Sequence, residues 1–326
     1  MRIHLQSHDS PHNFPLSTEI WAAAAARSPD ISGGHEPSFA MDPAGFEAAC
    51  PEMEVLVSQT AALVELIPFH APKLKMIFVT SAGLEKLAPF GWLPPGVPIL
   101  NNRGTHAVKA GEYGIMAILM LASRIPALAT AQQEQRWVTR HGSVLAGRHI
   151  VFVGLGALGG TVAGHAKAFG MRVTGVRATA APHPACDTVV GMDQLDSILP
   201  GAEFLFLAAP LTPATKNLLS RERLAMLPKG AGVVNIGRGG SVDQDAIMDA
   251  LDAEHLSGAV LDVFTPEPIP AGHRLWTTKN LLITPHVSAD DPITYNDRTL
   301  DIFFHNLQAL REGKPLPNEF KLDRGY

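Results

Sequence analysis

The sequence has only two cysteines, Cys50 and Cys186, in 326 residues. This scarcity excludes a scaffold held together by disulfide bonds and is typical of a chain that folds in the reducing cytosol. Charged residues make up only 17% of the chain, and the net charge of −5 provides no basic surface for nucleic acid or an anionic membrane. The composition therefore predicts a globular protein that binds neither of these partners.

Long apolar runs are also missing. No stretch reaches the roughly 18 apolar residues of a membrane span, and the N-terminus turns polar after Leu5, unlike a secretory signal. We therefore expect a cytoplasmic protein without membrane association. The 14 histidines are scattered, so no metal site is predicted. His183 and Cys186 form the nearest approach to a ligand cluster, and we expect them to lie in a surface loop.

The apolar runs that are present are short and alternate with helical stretches. Such runs predict buried parallel strands. They lie at residues 55–57, 76–79, 150–153, 172–176, 204–207, 232–236, 259–263 and 281–284. Helices are predicted at residues 107–121 and 302–310, among others. This repetition indicates an α/β fold with parallel sheets. A chain of 326 residues is long enough for two domains.

A glycine-rich turn follows the strand predicted at residues 150–153. Gly154, Gly156 and Gly159 have the G-x-G-x-x-G spacing, and a helix follows them. The first glycine permits the tight turn, the second lets the backbone approach a pyrophosphate, and the third lets helix and strand pack closely. The start of the helix adds free N–H groups and the positive end of its dipole. This context predicts a dinucleotide site; a glycine turn with only a structural role is the alternative.

Arg177 occupies the position that selects the dinucleotide. It ends the next predicted strand, roughly 20 residues beyond the glycine turn, where an NAD-specific site has an acid. A carboxylate there would bind the ribose hydroxyls and repel a 2′-phosphate, whereas an arginine can pair with that phosphate. The sequence therefore favours NADP over NAD. An arginine that stacks on adenine, with no preference between the cofactors, is the alternative.

Three residues with useful chemistry follow the last three predicted strands. They are Arg238, Glu267 and His286. In an open parallel sheet, ligands bind outside the carboxyl ends of the strands, so we expect these side chains to face one crevice. Each alone is an ordinary surface residue, but three in successive units after a dinucleotide turn indicate a catalytic site.

This trio suits the reduction of a 2-keto acid. Hydride addition leaves charge on the carbonyl oxygen, which needs a proton donor, and His286 is the candidate. The carboxylate of Glu267 would favour the protonated imidazolium. Arg238 offers a planar fork that can hold the carboxylate of the acid and polarise its carbonyl. The residues predict an oxidoreductase that moves a hydride between a nicotinamide cofactor and a small 2-hydroxy or 2-keto acid.

With these motifs, the sequence resembles the D-isomer-specific 2-hydroxyacid dehydrogenase family, which includes glyoxylate/hydroxypyruvate reductases and phosphoglycerate dehydrogenases. The resemblance covers nearly the whole chain. Besides the glycine turn, the motifs that carry it are Asn102-Arg103-Gly104, Glu112-Tyr113, Pro210-Leu211-Thr212 with Thr215, residues 235–240, Leu261-Asp262-Val263, Glu267-Pro268, Leu275-Trp276 and Pro285-His286-Val287-Ser288. The chain departs from the family at Arg177, where the usual acid is missing. Glu267 separates it from the formate dehydrogenase branch, which pairs a glutamine with the histidine.

The resemblance implies a particular fold and assembly. A Rossmann-type doubly wound parallel sheet, residues 103–287, is inserted into a second, smaller flavodoxin-like α/β domain. That domain is formed by residues 1–102 and 288–326 and binds the substrate. The family forms dimers through the dinucleotide-binding domain, so a homodimer is expected. The implied substrate is a small 2-keto or D-2-hydroxy acid of the glyoxylate or hydroxypyruvate kind.

The resemblance also implies roles for individual residues. Arg238, Glu267 and His286 are the catalytic set, and Asp262 lies near the nicotinamide carboxamide. Backbone N–H groups around Ala82 and Gly83 hold the substrate carboxylate, together with Arg238 and His286. The implied cofactor contacts are Gly154, Gly156, Ala157, Leu158, Gly159, Arg177, Pro210, Thr215, Ile236, Gly237, Arg238, Asp262, His286 and Ser288.

Two other functions fit parts of the sequence. A non-enzymatic, NAD(H)-sensing corepressor uses the same scaffold, but we expect such a protein to carry partner-binding extensions. A methyltransferase or hydrolase could use the glycine turn for an adenosyl ligand. That function leaves Arg238, Glu267 and His286 without a role. A reductase accounts for more of the residues than either, although the sequence does not name its keto acid.

Overall fold

A computed structural model describes residues 1–8 and 14–322 of the chain. Contacts divide it into two compact units. Unit 1 comprises Met1–Thr105 and Asp291–Tyr326, and unit 2 comprises His106–Asp290. Both boundaries lie slightly C-terminal to the crossings predicted at residues 102 and 288.

The secondary structure of the described residues alternates strands and helices. The strands are, in chain order, β1 (Arg2–Gln6), β2 (Glu36–Ala40), β3 (Val55–Ser58), β4 (Met76–Val79), β5 (Ile99–Leu100), β6 (His149–Val153), β7 (Arg172–Arg177), β8 (Thr188–Gly191), β9 (Phe204–Leu207), β10 (Ala231–Asn235), β11 (Leu256–Leu261) and β12 (Leu281–Ile283). The α-helices are α1 (Thr18–Arg27), α2 (Pro29–Ser32), α3 (Pro43–Ala49), α4 (Thr60–Leu66), α5 (Ala107–Ala122), α6 (Ile125–Gln133), α7 (Ala157–Ala168), α8 (Leu195–Ile198), α9 (Arg221–Met226), α10 (Gln244–Asp252) and α11 (Tyr295–Arg311). Short 3₁₀ turns lie at Glu85–Leu87, Phe90–Trp92, Met192–Gln194, Leu199–Gly201, Gly239–Ser241 and Arg274–Thr277.

Unit 1 is built on a parallel sheet with the strand order β2-β1-β3-β4-β5. This is the flavodoxin-like order. One face of the sheet packs on Phe303 and Leu307 of α11, and the opposite face packs on Phe46 of α3 and Leu63 of α4. Because both faces are covered, β4 is apolar throughout and β3 is apolar up to its last residue, Ser58. The predicted second, flavodoxin-like α/β unit is confirmed.

Unit 2 is built on a parallel sheet with the order β12-β11-β10-β9-β6-β7-β8. The strand order reverses at β6, which pairs with β7 on one side and β9 on the other. Along β6, Val151 and Val153 belong to one buried cluster and Ile150 and Phe152 to the other. The predicted Rossmann-type doubly wound sheet is confirmed, and ligands of such sheets bind beside the reversal point.

Helix α5 covers one face of this second sheet. Its small residues allow close packing on α7: a Cβ added to Gly114 would lie 2.5 Å from Val162. Among the described residues, no single helix is both long and apolar enough to cross a membrane. Helices α5 and α6 meet those criteria only as a pair, and the chain bends by 68° between them.

Candidate active site

The candidate residues of unit 2 lie at the carboxyl edge of its sheet. Arg177 ends β7, and the others follow the neighbouring strands β6, β9, β10, β11 and β12. The chain stays in register just past the strand ends, where Ile236 donates to Leu207 O and Asp262 donates to Asn235 O, both at 3.0 Å. The fold thus gathers at one edge residues that are far apart in sequence.

The glycine turn between β6 and α7 has no room for side chains at two of its three positions. Gly154 has φ of +95°, and a Cβ there would lie 2.6 Å from the Ala209 nitrogen. A Cβ on Gly159 would lie 2.0 Å from the Gly154 oxygen. At Gly156, by contrast, a Cβ would meet no atom within 4 Å. The first and third glycines are therefore required by packing, whereas the second faces open space.

That open space suits a pyrophosphate. Gly156 caps α7, a helix of 12 residues, so Ala157 and Leu158 carry N–H groups that have no partner within the helix. The positive end of the helix dipole lies at the same place. An anion that approached Gly156 would meet both features. The residues fit a dinucleotide.

Arg177 is the last residue of β7 and is half-buried. Within the described residues, its guanidinium makes neither a hydrogen bond nor an ion pair. An arginine without a protein partner at this edge is available to an anionic ligand.

The loop after β9 is shaped by Thr215. Its buried hydroxyl donates to Pro210 O at 2.6 Å and accepts from the Thr212 nitrogen at 2.7 Å. Both bonds stay inside the loop. Thr215, predicted as a cofactor contact, therefore fixes the conformation of Pro210 and its neighbours.

Glu267 and His286 form a hydrogen-bonded pair. The Nδ1 atom of His286 lies 2.8 Å from Oε2 of Glu267, and Oε1 accepts from the Phe264 nitrogen at 2.7 Å. A carboxylate only accepts, so Nδ1 carries the proton and donates it. The His286 side chain is 49% exposed. The other ring nitrogen, Nε2, makes no hydrogen bond with any described residue.

Arg238 lies in the loop after β10, directly after Gly237. Its backbone oxygen accepts from the Ser241 hydroxyl at 2.6 Å and from Nδ2 of Asn235 at 3.1 Å. Nη1 donates to Gly237 O at 2.8 Å. The backbone of Arg238 is therefore firmly held, and the side chain is half-buried. His286 is hydrogen-bonded to Glu267. Arg238 follows β10, the strand next to β11, which precedes Glu267.

Asp262 and Ser288 lie beneath this edge. The Asp262 side chain is fully buried, and Oδ2 accepts from the Ser288 nitrogen at 3.0 Å. Oδ1 accepts from the Val287 nitrogen at 2.9 Å and from the Thr284 hydroxyl at 2.6 Å. We expected Asp262 near the nicotinamide carboxamide; its carboxylate accepts hydrogen bonds from Thr284, Val287 and Ser288 of the protein itself.

The loop after β4 in unit 1 contains the predicted substrate contacts Ala82 and Gly83. Three of its carbonyl groups are held by the protein: Thr80 O by Nδ2 of Asn102, Ser81 O by the Asn102 nitrogen and Ala82 O by Nδ2 of Asn101, each at 2.9 Å. Tyr295 also donates to Thr80 O. In a trans peptide the N–H points opposite to the C=O. The N–H groups of residues 81–83 are therefore directed away from these partners, and none has an acceptor among the described residues.

His183 and Cys186, the nearest approach to a ligand cluster in the sequence, lie in the loop between β7 and β8. His183 Nδ1 accepts from the Ala185 nitrogen at 3.2 Å. Burial raises the pKa of the Cys186 thiol to about 11, which disfavours the thiolate that metals bind. Across residues 1–8 and 14–322, no three metal-binding side chains come together.

Sequence reasoning missed four residues that support the site. Asn101 and Asn102 orient the loop after β4, and Thr284 and Tyr113 extend the hydrogen bonds of Asp262. Asn102 and Tyr113 were noted only as parts of motifs. Their signal is a buried polar side chain next to an apolar strand or helix, which identifies a partnered group but not its partner.

Fold and site together define a class: a two-unit α/β protein whose second unit has, at one edge of its sheet, a glycine turn that fits a dinucleotide and a histidine–glutamate pair. Residues 115–288 match the family model described as D-isomer specific 2-hydroxyacid dehydrogenase, NAD binding domain. The chain belongs to this family, and its resemblance to the family is confirmed.

Individual relatives agree with this assignment. The chain is 31% identical over 248 residues to glyoxylate/hydroxypyruvate reductase A of Serratia proteamaculans, covering 74% of this chain and 78% of that protein. It is 31% identical over 245 residues to D-3-phosphoglycerate dehydrogenase of Mycobacterium tuberculosis. That alignment covers 74% of this chain but only 46% of the relative, so the chain spans less than half of that enzyme's length.

Solved structures match almost the whole chain. A D-isomer-specific 2-hydroxyacid dehydrogenase from Xanthobacter autotrophicus, in complex with NADPH and MES, has a TM-score of 0.80 at 27% identity, over 99% of both chains. An NADPH-dependent glyoxylate/hydroxypyruvate reductase from Sinorhizobium meliloti, in complex with NADP and sulfate, has a TM-score of 0.79 at 25% identity. It covers 100% of this chain and 99% of that one.

Proposed function

We propose that this protein is an NAD(P)-dependent reductase that converts a small 2-keto acid into a D-2-hydroxy acid. The observation that carries the proposal is the pair in which Glu267 holds Nδ1 of His286 and leaves Nε2 exposed. This pair lies at the same sheet edge as a glycine turn that fits a pyrophosphate. The names of two relatives, both glyoxylate/hydroxypyruvate reductases, support a substrate of that kind.

The proposed mechanism gives each of the three catalytic residues a role. A nicotinamide dinucleotide held at the glycine turn would supply a hydride for the carbonyl carbon, which would leave negative charge on the carbonyl oxygen. His286 gives the proton from Nε2 to that oxygen, which completes the hydroxy acid. Glu267 stabilises the imidazolium before the transfer and fixes the ring. Arg238 binds the carboxylate of the acid and polarises its carbonyl.

The loop after β4 provides a second contact for the substrate carboxylate in this proposal. The N–H groups of Ala82 and Gly83 are oriented because the carbonyls before them are tied to Asn101 and Asn102. Successive free N–H groups form an anion-binding concavity. We accordingly assign unit 1 as the substrate domain and unit 2 as the dinucleotide-binding domain.

We propose NADPH as the preferred cofactor. Arg177 takes the place of the usual acid and has no partner in the described structure, so it can receive a 2′-phosphate. The pyrophosphate binds at Gly156, Ala157 and Leu158. Pro210, Ile236, Gly237 and Ser288 border the same edge, where they contact the rest of the cofactor. Two structural relatives that contain NADPH or NADP support this choice.

A homodimer formed through unit 2 is part of the same proposal. Helices α5 and α6 leave apolar side chains in solvent. Val108 is 50% exposed, and Met116, Leu119 and Ile125 are between 37% and 39% exposed. Several exposed apolar side chains on two neighbouring helices are typical of a protein interface. We propose that the dimer acts in the cytoplasm.

The test is a panel of 2-keto acids, including glyoxylate and hydroxypyruvate, assayed with NADH and NADPH. We expect reduction of at least one acid, and we expect His286→Asn to lower kcat by a factor of about 100 to 10,000. Binding of the reduced cofactor, measured by fluorescence, should stay within a factor of about two, since His286 acts on the substrate. Cofactor binding without turnover of any acid would instead favour an NAD(H)-sensing protein. A variant that keeps a third of the activity would remove His286 from the mechanism.

A further inference from the structure

The turn that carries His286 has an unusual backbone conformation. His286 has φ of +57°, a left-handed region that residues other than glycine rarely adopt. Such a conformation persists only when its surroundings enforce it. Asp262 does so at three successive residues: its backbone oxygen accepts from the His286 nitrogen, and its carboxylate accepts from the nitrogens of Val287 and Ser288. The buried carboxylate acts as a clamp on the turn.

A hydroxyl chain leads from this clamp to helix α5. The Thr284 hydroxyl donates its single proton to Oδ1 of Asp262 at 2.6 Å. The bond of 2.7 Å between the hydroxyls of Thr284 and Tyr113 must therefore be donated by Tyr113. Tyr113 is only 7% exposed, and burial raises the pKa of its phenol, so it keeps that proton. The order of donation is fixed as Tyr113 to Thr284 to Asp262.

The side chain of Asp262 has no exposed atom that could contact a ligand. Its side chain is fully buried, and three donors from the protein occupy its two oxygens. A carboxylate offers about four acceptor sites, and no solvent reaches this one. Whatever Asp262 contributes to the reaction therefore passes through the turn above it.

We infer that Tyr113 is a positioning residue, whose hydroxyl acts through Thr284 and Asp262 to fix the turn that aims Nε2 of His286. The inference rests on the proposed function in one respect, that His286 is the proton donor. Each bond polarises the next, so the phenol makes Thr284 a better donor to the carboxylate that holds the turn. Helix α5, which contains Tyr113, thereby helps to orient His286, although His286 lies in the loop after β12.

The first test measures amide hydrogen exchange in the protein without cofactor. Tyr113→Phe should raise the exchange rates of the Val287 and Ser288 amides by about two- to tenfold, the effect of one lost hydrogen bond. Thr284→Val should raise them at least as much, and Thr284→Ser, which keeps the hydroxyl, should stay within about twofold of the wild type. Amides of β6 report on global stability, and their rates show how much of any change comes from global unfolding. Unaltered rates at Val287 and Ser288 in Tyr113→Phe would overturn the inference.

The second test is a double-mutant cycle on kcat with the best keto acid from the panel. Tyr113→Phe should lower kcat by about two- to tenfold and leave the KM for the reduced cofactor unchanged. In the Thr284→Val background the same substitution should have no further effect, because the link through the Thr284 hydroxyl is already cut. Full additivity would contradict the inference. If no keto acid is reduced, the proposed function fails, and the exchange measurement still decides whether Tyr113 holds the turn.

Discussion

Both oxygens of one carboxylate are used at the proposed catalytic pair. Oε2 of Glu267 accepts from the ring of His286, and Oε1 accepts from the Phe264 nitrogen, which fixes the carboxylate itself. A proton donor needs one ring nitrogen anchored and the other open to the substrate, and the pair provides this arrangement. With both atoms held, the ring has little freedom to turn away. The carboxylate of Glu267 is therefore fixed by the Phe264 nitrogen and in turn orients the ring of His286.

Arg177 gives the sharpest prediction at the scale of one residue. Charge-assisted bonds to a phosphate contribute roughly 1.5–3 kcal/mol each when well formed. With part of that lost to solvent, the wild type should prefer NADPH over NADH by about ten- to a hundredfold in kcat/KM. Arg177→Asp should reverse the preference, because a carboxylate accepts from the ribose hydroxyls and repels the phosphate. Steady-state kinetics with both reduced cofactors measure the ratio.

Arg172 supplies the control for that experiment. It begins the same strand, β7, at the opposite end, so Arg172→Asp makes the same charge change away from the carboxyl edge. The cofactor preference of this variant should match that of the wild type. The NADPH preference of the wild type should also weaken as salt rises, since Arg177 is only half-buried. Equal use of both cofactors by the wild type would contradict the assignment of Arg177.

At the scale of an element, different glycines of the turn between β6 and α7 serve folding and cofactor binding. Gly159→Ala forces a Cβ against the Gly154 oxygen, so it should lower the melting temperature of the protein by about 5 °C or more. Gly156→Ala meets no protein atom and has an ordinary φ of −74°, so its melting temperature should match the wild type. Its NADPH affinity should nevertheless fall by about tenfold or more, because the methyl group occupies the pyrophosphate's approach. Calorimetry and fluorescence titration measure the two effects, and normal affinity in Gly156→Ala would refute this placement of the pyrophosphate.

The elements that could be predicted from the sequence are those whose strands are apolar on both faces. The strand predicted at residues 204–207 has the bounds of β9, and Leu205 and Phe206 are both buried. Strand β1 was missed because His4 and Gln6 interrupt its apolar pattern; both are buried and bonded to each other at 3.0 Å. Strand β2 contains Pro37, which only an edge strand tolerates. Strands that contain buried polar pairs, and strands at the edge of a sheet, therefore cannot be predicted from the hydrophobic pattern alone.

The same limit applies to the site. The residues that follow strands could be predicted, because strand ends are visible in the sequence and ligands bind there. The bond between Tyr113 and Thr284 could not, because 171 positions separate the two residues and only the tertiary packing of α5 brings them together. Asn101 and Asn102 act in a similar way through contacts with residues about 20 positions earlier. The candidate residues at strand ends can thus be found from local sequence, whereas the residues that hold them in place are brought together only by tertiary packing.

Across the whole molecule, each unit buries a histidine in the first strand of its sheet. His4 in β1 is 2% exposed, and His149 in β6 is 6% exposed. His149 Nδ1 lies 2.7 Å from Gly201 O, and Nε2 lies 2.9 Å from the Thr174 hydroxyl; His4 bonds Ser38 and Gln6. Burial lowers the pKa of both imidazoles, against the opposing effect of these hydrogen bonds. Both units therefore hold a neutral imidazole that resists protonation.

These two histidines should make the protein sensitive to mild acid. Above pH of about 6.5 both are neutral in the folded and unfolded chains, so their contribution to stability is fully present. As the pH falls below that value, the unfolded chain takes up protons first, and each histidine removes up to about 1.4 kcal/mol of stability per pH unit. Carboxylates with lowered pKa values, such as Asp249, act only at lower pH. Melting temperatures measured by calorimetry from pH 7.5 to 5.0 should therefore decline, and His149→Gln should decline less steeply than the wild type. The exposed His305 provides the control, since His305→Gln should keep the wild-type slope. A slope that is the same in all three proteins would show that the buried imidazole of His149 does not govern the response to acid.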